Sequence, residues 1–205
     1  VLPCPMYGSH PYHHWGVKGT IPLRFETHIA LVEDIINGAV VAGFKKFIIL
    51  SAHGQVSSTI VAVHKLGIQG RFVLSLHWYD FLRDSQDVLE DAMWHADEAE
   101  TSVGLYLYPE FVDMSRAEAG SSTGLIDPKW KIAPGMMPKP GQMYHFEGTF
   151  ALPEKLEHSN GVVGDPTKAT YEKGERMVNR VVDHVSLLVE EIMEQYPVGT
   201  APQTA

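Results

Sequence analysis

The chain has 205 residues, enough for one large domain with a sizeable core. Hydrophobic residues make up 44% and charged residues 20%, a globular composition, and no apolar run reaches the ~18 residues of a membrane span. Sixteen basic against 25 acidic residues leave a formal charge of -9, which argues against nucleic acid as a partner, and the single cysteine, Cys4, fits a reducing cytoplasmic setting.

Residues 1–24 are dense in proline and glycine and hold His10, His13 and His14, so they read as an irregular loop. From Phe25 the apolar residues Ile29, Val32, Ile36, Ala39 and Val40 recur at helical spacing, with Gly43 placed as a C-terminal cap. Phe47 to Leu50 reads as a buried parallel strand. A second helix is expected from about Ser57 to Leu66, stopped by Gly67, followed by a strand over Phe72 to Leu76 that ends at His77-Trp78-Tyr79. This alternation predicts an α/β fold with a mostly parallel sheet flanked by helices. A third helix is expected over Glu98 to Tyr108. The segment from about Ser115 to Pro166 is too long for an ordinary connection, and a short strand is expected around Met143 to Phe150. Val178, Val181, Val182, Val185, Leu188, Val189, Ile192 and Met193 mark a last amphipathic helix.

Three places carry candidate chemistry. His53 lies just past the carboxyl end of a central strand, where open α/β sheets bind ligands; a histidine that only bonds a nearby carbonyl is the plain alternative. His95, Asp97, Glu98 and Glu100 bring imidazole and carboxylate together, the ligand types of zinc and manganese. The alternative there is that Asp97 and Glu98 merely complement a helix dipole. His13 and His14 sit in a glycine-rich loop and read as surface residues when taken alone. Trp78 and Tyr79 fit a pocket wall or a core equally.

Taken together, these segments resemble the creatininase family. Tyr7 to Thr20 is similar to its loop that opens Tyr-Gly-x-Ser and closes His-x-x-Phe-Pro-Gly-Thr, with His14 at the histidine position and Val17 and Lys18 in place of Phe and Pro. Gly43-Phe44 through Val56 resembles the strand and Asn-Gly-His-Gly-Gly-Asn loop; His53 and Gly54 match, while Ser51, Ala52, Gln55 and Val56 depart. His95 to Ser102 resembles His-Ala-Gly-Glu-x-Glu-Thr-Ser, with Asp97 in place of glycine. Gly161 to Ala169 resembles Gly-Val-x-Gly-Asp-Pro-x-x-Ala.

The resemblance implies that residues 1–205 are a single creatininase-like domain and a binuclear hydrolase with two divalent ions, zinc and/or manganese. It implies His53 and Glu100 as metal ligands and His95 as the proton-transfer residue, with Trp78, His14 and Glu98 on the substrate. The implied reaction is attack of metal-activated water on a small polar molecule. A cyclic amide or an oxidised inositol ring, as opened by 3-dehydro-scyllo-inosose hydrolases, is the expected substrate, and Lys18 with the histidine-rich loop favours a polyhydroxylated or anionic one. A homo-oligomer, a hexamer in the family, is expected. Family members begin with a strand and a loop carrying Glu-x-His and a bridging Asp, which these residues do not reproduce. A companion polypeptide supplying that segment is therefore expected beside the first loop. The rival expectation is a non-catalytic creatininase-like subunit of a larger assembly.

Overall fold

The computed structural model describes residues 1–10, 17–53, 57–82, 87–91, 93–124, 154–156 and 161–202. They group into two compact units. Val1–His10, Ile21–Asp84 and Asn179–Ala205 form the first, and Pro11–Thr20 with Ser85–Val178 the second.

In the first unit, helix α1 (Phe25–Val41) ends as its sequence predicts. Gly43 takes the left-handed conformation (φ 97°), its N–H reaches Val40 O at 2.9 Å, and Phe44 N–H reaches Ala39 O at 3.1 Å. Strand β1 (Lys46–Ser51) follows, then helix α2 (Ser57–Ile68) and strand β2 (Phe72–His77). Helix α2 runs through Gly67 rather than stopping there. Its stop is Gly70 (φ 75°), where Gly70 N–H bonds Gly67 O and Arg71 N–H bonds Leu66 O. Glycine inside a helix is tolerated at a modest cost; the turn itself needs the positive φ, which Gly70 supplies.

β1 and β2 pair in parallel, from Lys46 opposite Phe72 to Ser51 opposite His77. The core beneath them joins Ile36 of α1, Phe47 of β1 and Leu66 of α2, with Ala39, Val40 and Val73 packed around. Burying Phe47 and Leu66 contributes ~1.5–3 kcal/mol each. A 3-10 turn over Trp78–Leu82 continues from β2.

The second unit holds helix α3 (Glu98–Leu107) and a short antiparallel pair, β3 (Ser122–Gly124) with β4 (Glu154–Leu156). The strand expected around Met143 to Phe150 lies outside the described residues. Two isolated bridges hold the motif around Gly161: His95 with Val163 ties it to the entrance of α3, and Gly120 with Gly164 ties it to the segment before β3. The last helix, α4 (Tyr171–Gln195), divides: Tyr171–Val178 belongs to the second unit and Asn179–Gln195 to the first. Its stripe is unevenly covered, with Met177 and Val181 buried and Val182 and Val189 exposed.

Past the end of α4, the Lys46 ammonium donates to Tyr196 O (2.7 Å), Thr200 O (2.9 Å) and Pro197 O (3.0 Å). One cation thus ties together three carbonyls of the tail beyond the helix, and Pro197 O also accepts from Thr200 N (3.0 Å). Lys46→Met should lower stability by about 1 kcal/mol and speed amide exchange at residues 196–200. Urea denaturation and hydrogen exchange measure the two effects, and unchanged exchange there would show that the tail is held by other contacts.

Candidate active site

In the first unit the carboxyl edge of the parallel pair gathers polar side chains. His53 stands two residues beyond β1, and its ring meets that of His10 edge-on at 5.6 Å. Trp78 opens the 3-10 turn after β2 and meets Tyr79 edge-on at 6.3 Å. His77, the last residue of β2, has its Nδ1 3.1 Å from Asp80 Oδ2, and Tyr79 stacks on its ring at 4.7 Å. Nearby, His28 Nδ1 and the buried Ser58 Oγ are 2.8 Å apart. Burial, and then the charge of His10, hold the His28 imidazole below its ordinary value.

In the second unit the chemistry is organised by the start of α3. Asp97 is the N-cap and is 2% exposed. Its carboxylate accepts from Ala99 N (2.9 Å), Glu100 N (3.1 Å) and Trp94 N. This agrees with the helix-start reading of the sequence. Glu100, in the first turn, reaches back to accept from Ala96 N, and Ala96 is left-handed (φ 48°). His95 pairs through its backbone with Val163, and its Nδ1 lies 2.7 Å from Gly161 O. A carbonyl only accepts, so Nδ1 carries the proton and a neutral His95 keeps its lone pair on Nε2. Gly161 has a positive φ of 80°, which favours glycine, and a Cβ there would meet Val17 Cγ1 at 3.0 Å but His95 Cε1 only at 3.9 Å.

Glu98 faces the other way. It is 2% exposed, and its oxygens accept from Glu90 N (2.9 Å) and Asp91 N (3.1 Å) while pairing with Lys173. Burial works to lower the Lys173 ammonium, but the bonds to Glu90 and Glu98 more than offset it and hold it above its ordinary value. Ser102, fully buried, donates to Glu98 O (2.6 Å) and accepts from Thr170 N (3.1 Å).

The structure therefore places His53 and Trp78 at one sheet edge, and His95, Glu98 and Glu100 at one helix start. His14 lies outside the described residues. Sequence reasoning missed His77 with Asp80, and Lys173 as the counter-charge of Glu98. The His-x-x-Asp spacing was the available signal for the first; nothing in the sequence flags a pair 75 residues apart.

An α/β protein with a histidine at the carboxyl edge of a parallel pair and a His-Glu group at a capped helix start is the class these features define. The chain belongs to the creatininase family: the family model described as creatinine amidohydrolase matches residues 1–189. It is 34% identical over 207 residues to a 3-dehydro-scyllo-inosose hydrolase of Thermotoga maritima. That match covers 96% of this chain and 66% of the relative, so the chain spans just under two thirds of that protein's length. A putative creatinine amidohydrolase from Bacteroides fragilis has a similar structure, with a TM-score of 0.70 and 30% identity over 90% of this chain and 68% of that one. A manganese creatininase shares the fold at a TM-score of 0.59 and 24% identity, covering 87% of this chain and 67% of that one.

Removing the cation that faces a buried carboxylate leaves an uncompensated charge. Lys173→Met should therefore cost about 3–5 kcal/mol in denaturant unfolding, and the double variant Lys173→Met, Glu98→Gln should regain much of it. A double variant no better than the single one would mean that Lys173 acts through packing alone.

Burial raises the Glu100 carboxyl above its ordinary 4.5 and Asp97 adds to the effect, against the Ala96 N–H and His95. Between the ordinary and the raised value the folded state binds more protons than the unfolded one, so stability falls as pH rises through that window. In metal-free protein, Glu100→Gln should flatten this fall in pH-dependent unfolding. An unaltered slope would assign the dependence to another group.

Proposed function

We propose that this chain is a metal-dependent hydrolase that opens the ring of a small polar molecule, an oxidised inositol being the best-supported substrate. Family membership and the 34% identity to a 3-dehydro-scyllo-inosose hydrolase support the class and the substrate. The observation that carries the reading is His95, with its tautomer set by the Gly161 carbonyl, three residues from the start of a helix whose first turn presents Glu100. We take residues 1–205 to work as one creatininase-like domain, since the family match runs through both units.

The donor chemistry fits a divalent metal. Glu100 is a partly buried carboxylate whose hydrogen bond comes from a backbone N–H, and among the described residues no lysine or arginine pairs with it. Glu100 and His53 would each donate to zinc or manganese, by oxygen and by imidazole nitrogen. Among the described residues no group of three or more His, Cys, Asp or Glu side chains is assembled that could hold a metal ion. When bound, the metal supplies Lewis acidity and lowers the pKa of water toward ~7.

The chain's own groups do the rest. His95 carries a proton to the leaving atom, using the Nε2 lone pair that the Gly161 contact preserves. Trp78 walls the substrate and His14 binds it. Glu98 is the further substrate-side residue that the resemblance implies, and its oxygens also hold residues 90 and 91 and Lys173 in place. We place the reaction in the cytoplasm and expect a homo-oligomer; among the described residues no helix is long and apolar enough to cross a membrane.

His95→Ala should lower kcat by ~10²–10⁴ with bound metal unchanged, whereas His53→Ala and Glu100→Gln should lose metal. Turnover of 3-dehydro-scyllo-inosose together with elemental analysis separates the two effects. Equal loss of metal and activity in His95→Ala would make that residue a ligand. A full-length protein that holds metal poorly and turns nothing over would favour the non-catalytic subunit.

A further inference from the structure

One group at the sheet edge has no task in the site as described. The Nδ1 of His77 lies 3.1 Å from Asp80 Oδ2, and the same oxygen accepts the His77 backbone N–H at 3.1 Å. A carboxylate oxygen only accepts here, so Nδ1 holds the proton and the neutral ring leaves an acceptor on Nε2. That Nε2 is buried and, among the described residues, has no hydrogen-bond partner. Buried polar atoms are nearly always paired, so an orphan calls for a specific explanation. The turn after β2 needs only Nδ1 and the backbone N–H. Its geometry therefore accounts for Asp80 and leaves Nε2 unexplained.

Position and rigidity supply the explanation. His77 closes β2 opposite Ser51, so it shares the carboxyl edge from which β1 runs on to His53. Ligands of open α/β sheets bind outside such ends. The ring is stacked on Tyr79 and tied to Asp80, so little freedom is lost when it meets a donor. Trp78, the proposed substrate wall, is the next residue.

We propose that His77 is a specificity-determining residue whose Nε2 accepts a hydrogen bond from one hydroxyl of a polyhydroxylated substrate. The inference rests on the functional reading above and names a contact which that reading lacks. A site built around a fixed acceptor rejects an analogue without the matching hydroxyl far more strongly than an apolar wall does. Asp80 acts through His77, as a positioning residue.

The test uses metal-loaded full-length protein with 3-dehydro-scyllo-inosose and its monodeoxy analogues as probes. His77→Phe should raise KM about tenfold for the parent compound, leave metal content unchanged, and lose the discrimination against one monodeoxy analogue. His77→Gln, which keeps an acceptor, should recover part of it. Asp80→Asn should raise KM in step with a shift of the ring tautomer, read from the ¹⁵N resonances of His77, and this variant carries the test if the His77 variants do not fold. Unchanged KM, or equal losses on every analogue, would overturn the inference while the parent reading stands. Metal loss in His77→Phe would also overturn it, by making His77 a ligand. No turnover of 3-dehydro-scyllo-inosose by the wild-type protein would sink the parent reading and this inference with it.

Discussion

The second unit depends on one carboxylate. Asp97 is buried, and a buried carboxylate is tolerable only when hydrogen bonds replace the water it has lost. The amides of Trp94, Ala99 and Glu100 do this, and each bond has a structural consequence. The last two close the first turn of α3. The first draws the preceding segment across the helix start, so that His95 and Ala96 lie between fixed points. The left-handed Ala96 is the residue that absorbs this bend. Without the cap, neither the Glu100 contact with Ala96 N nor the His95 pairing with Val163 would have a defined frame.

A second buried acid is handled differently. Glu98 is as deeply buried as Asp97 but is met by an ammonium as well as by amides. Lys173 reaches it from the first turns of α4, while also bonding Glu90 and Lys168 O. Gly174, the next residue, brings that helix so close to α3 that a Cβ would lie 2.0 Å from Ser102 O. The close approach and the ion pair therefore support each other: the missing side chain allows the contact, and the paired charges fix its register. Two adjacent carboxylates, Asp97 and Glu98, thus both hold the architecture of this unit. Glu100 differs from both: among the described residues its side chain is bonded to a single amide.

How legible this was in the sequence depends on the range of each interaction. Local rules located α1, β1, β2 and α3 to within a residue or two, because apolar period and capping residues act over a few positions. The stop of α2 was misplaced since Gly67 and Gly70 look alike as letters; only the carbonyls of Leu66 and Gly67 distinguish the residue that must turn. His95 and Glu100 stand out as candidates through a motif, and the helix dipole offers a competing account that fits Asp97. The partner of Glu98 was not readable, because Lys173 is remote in sequence and lysine on an amphipathic helix is ordinarily a solvated residue. His77 was passed over beside Trp78, since the orphaned nitrogen that marks it is a property of the folded environment.

The one departure inside the best-matched motif shows how a family pattern bends without breaking. Where relatives are expected to carry glycine, this chain has Asp97. Its backbone is extended (φ -93°, ψ -161°), a conformation open to any residue, so no glycine is required there. Glycine serves adequately as an N-cap but offers no acceptor, whereas aspartate adds one. The added side chain needs room, and Gly164 provides it: a Cβ at that position would come within 2.6 Å of Asp97 Cβ, and its φ of 128° disfavours any other residue. Gly164 belongs to the motif that also brings Gly161 to His95. The aspartate is therefore accommodated by the same segment that orients the histidine, and a change that strengthens the helix start leaves the geometry at His95 intact.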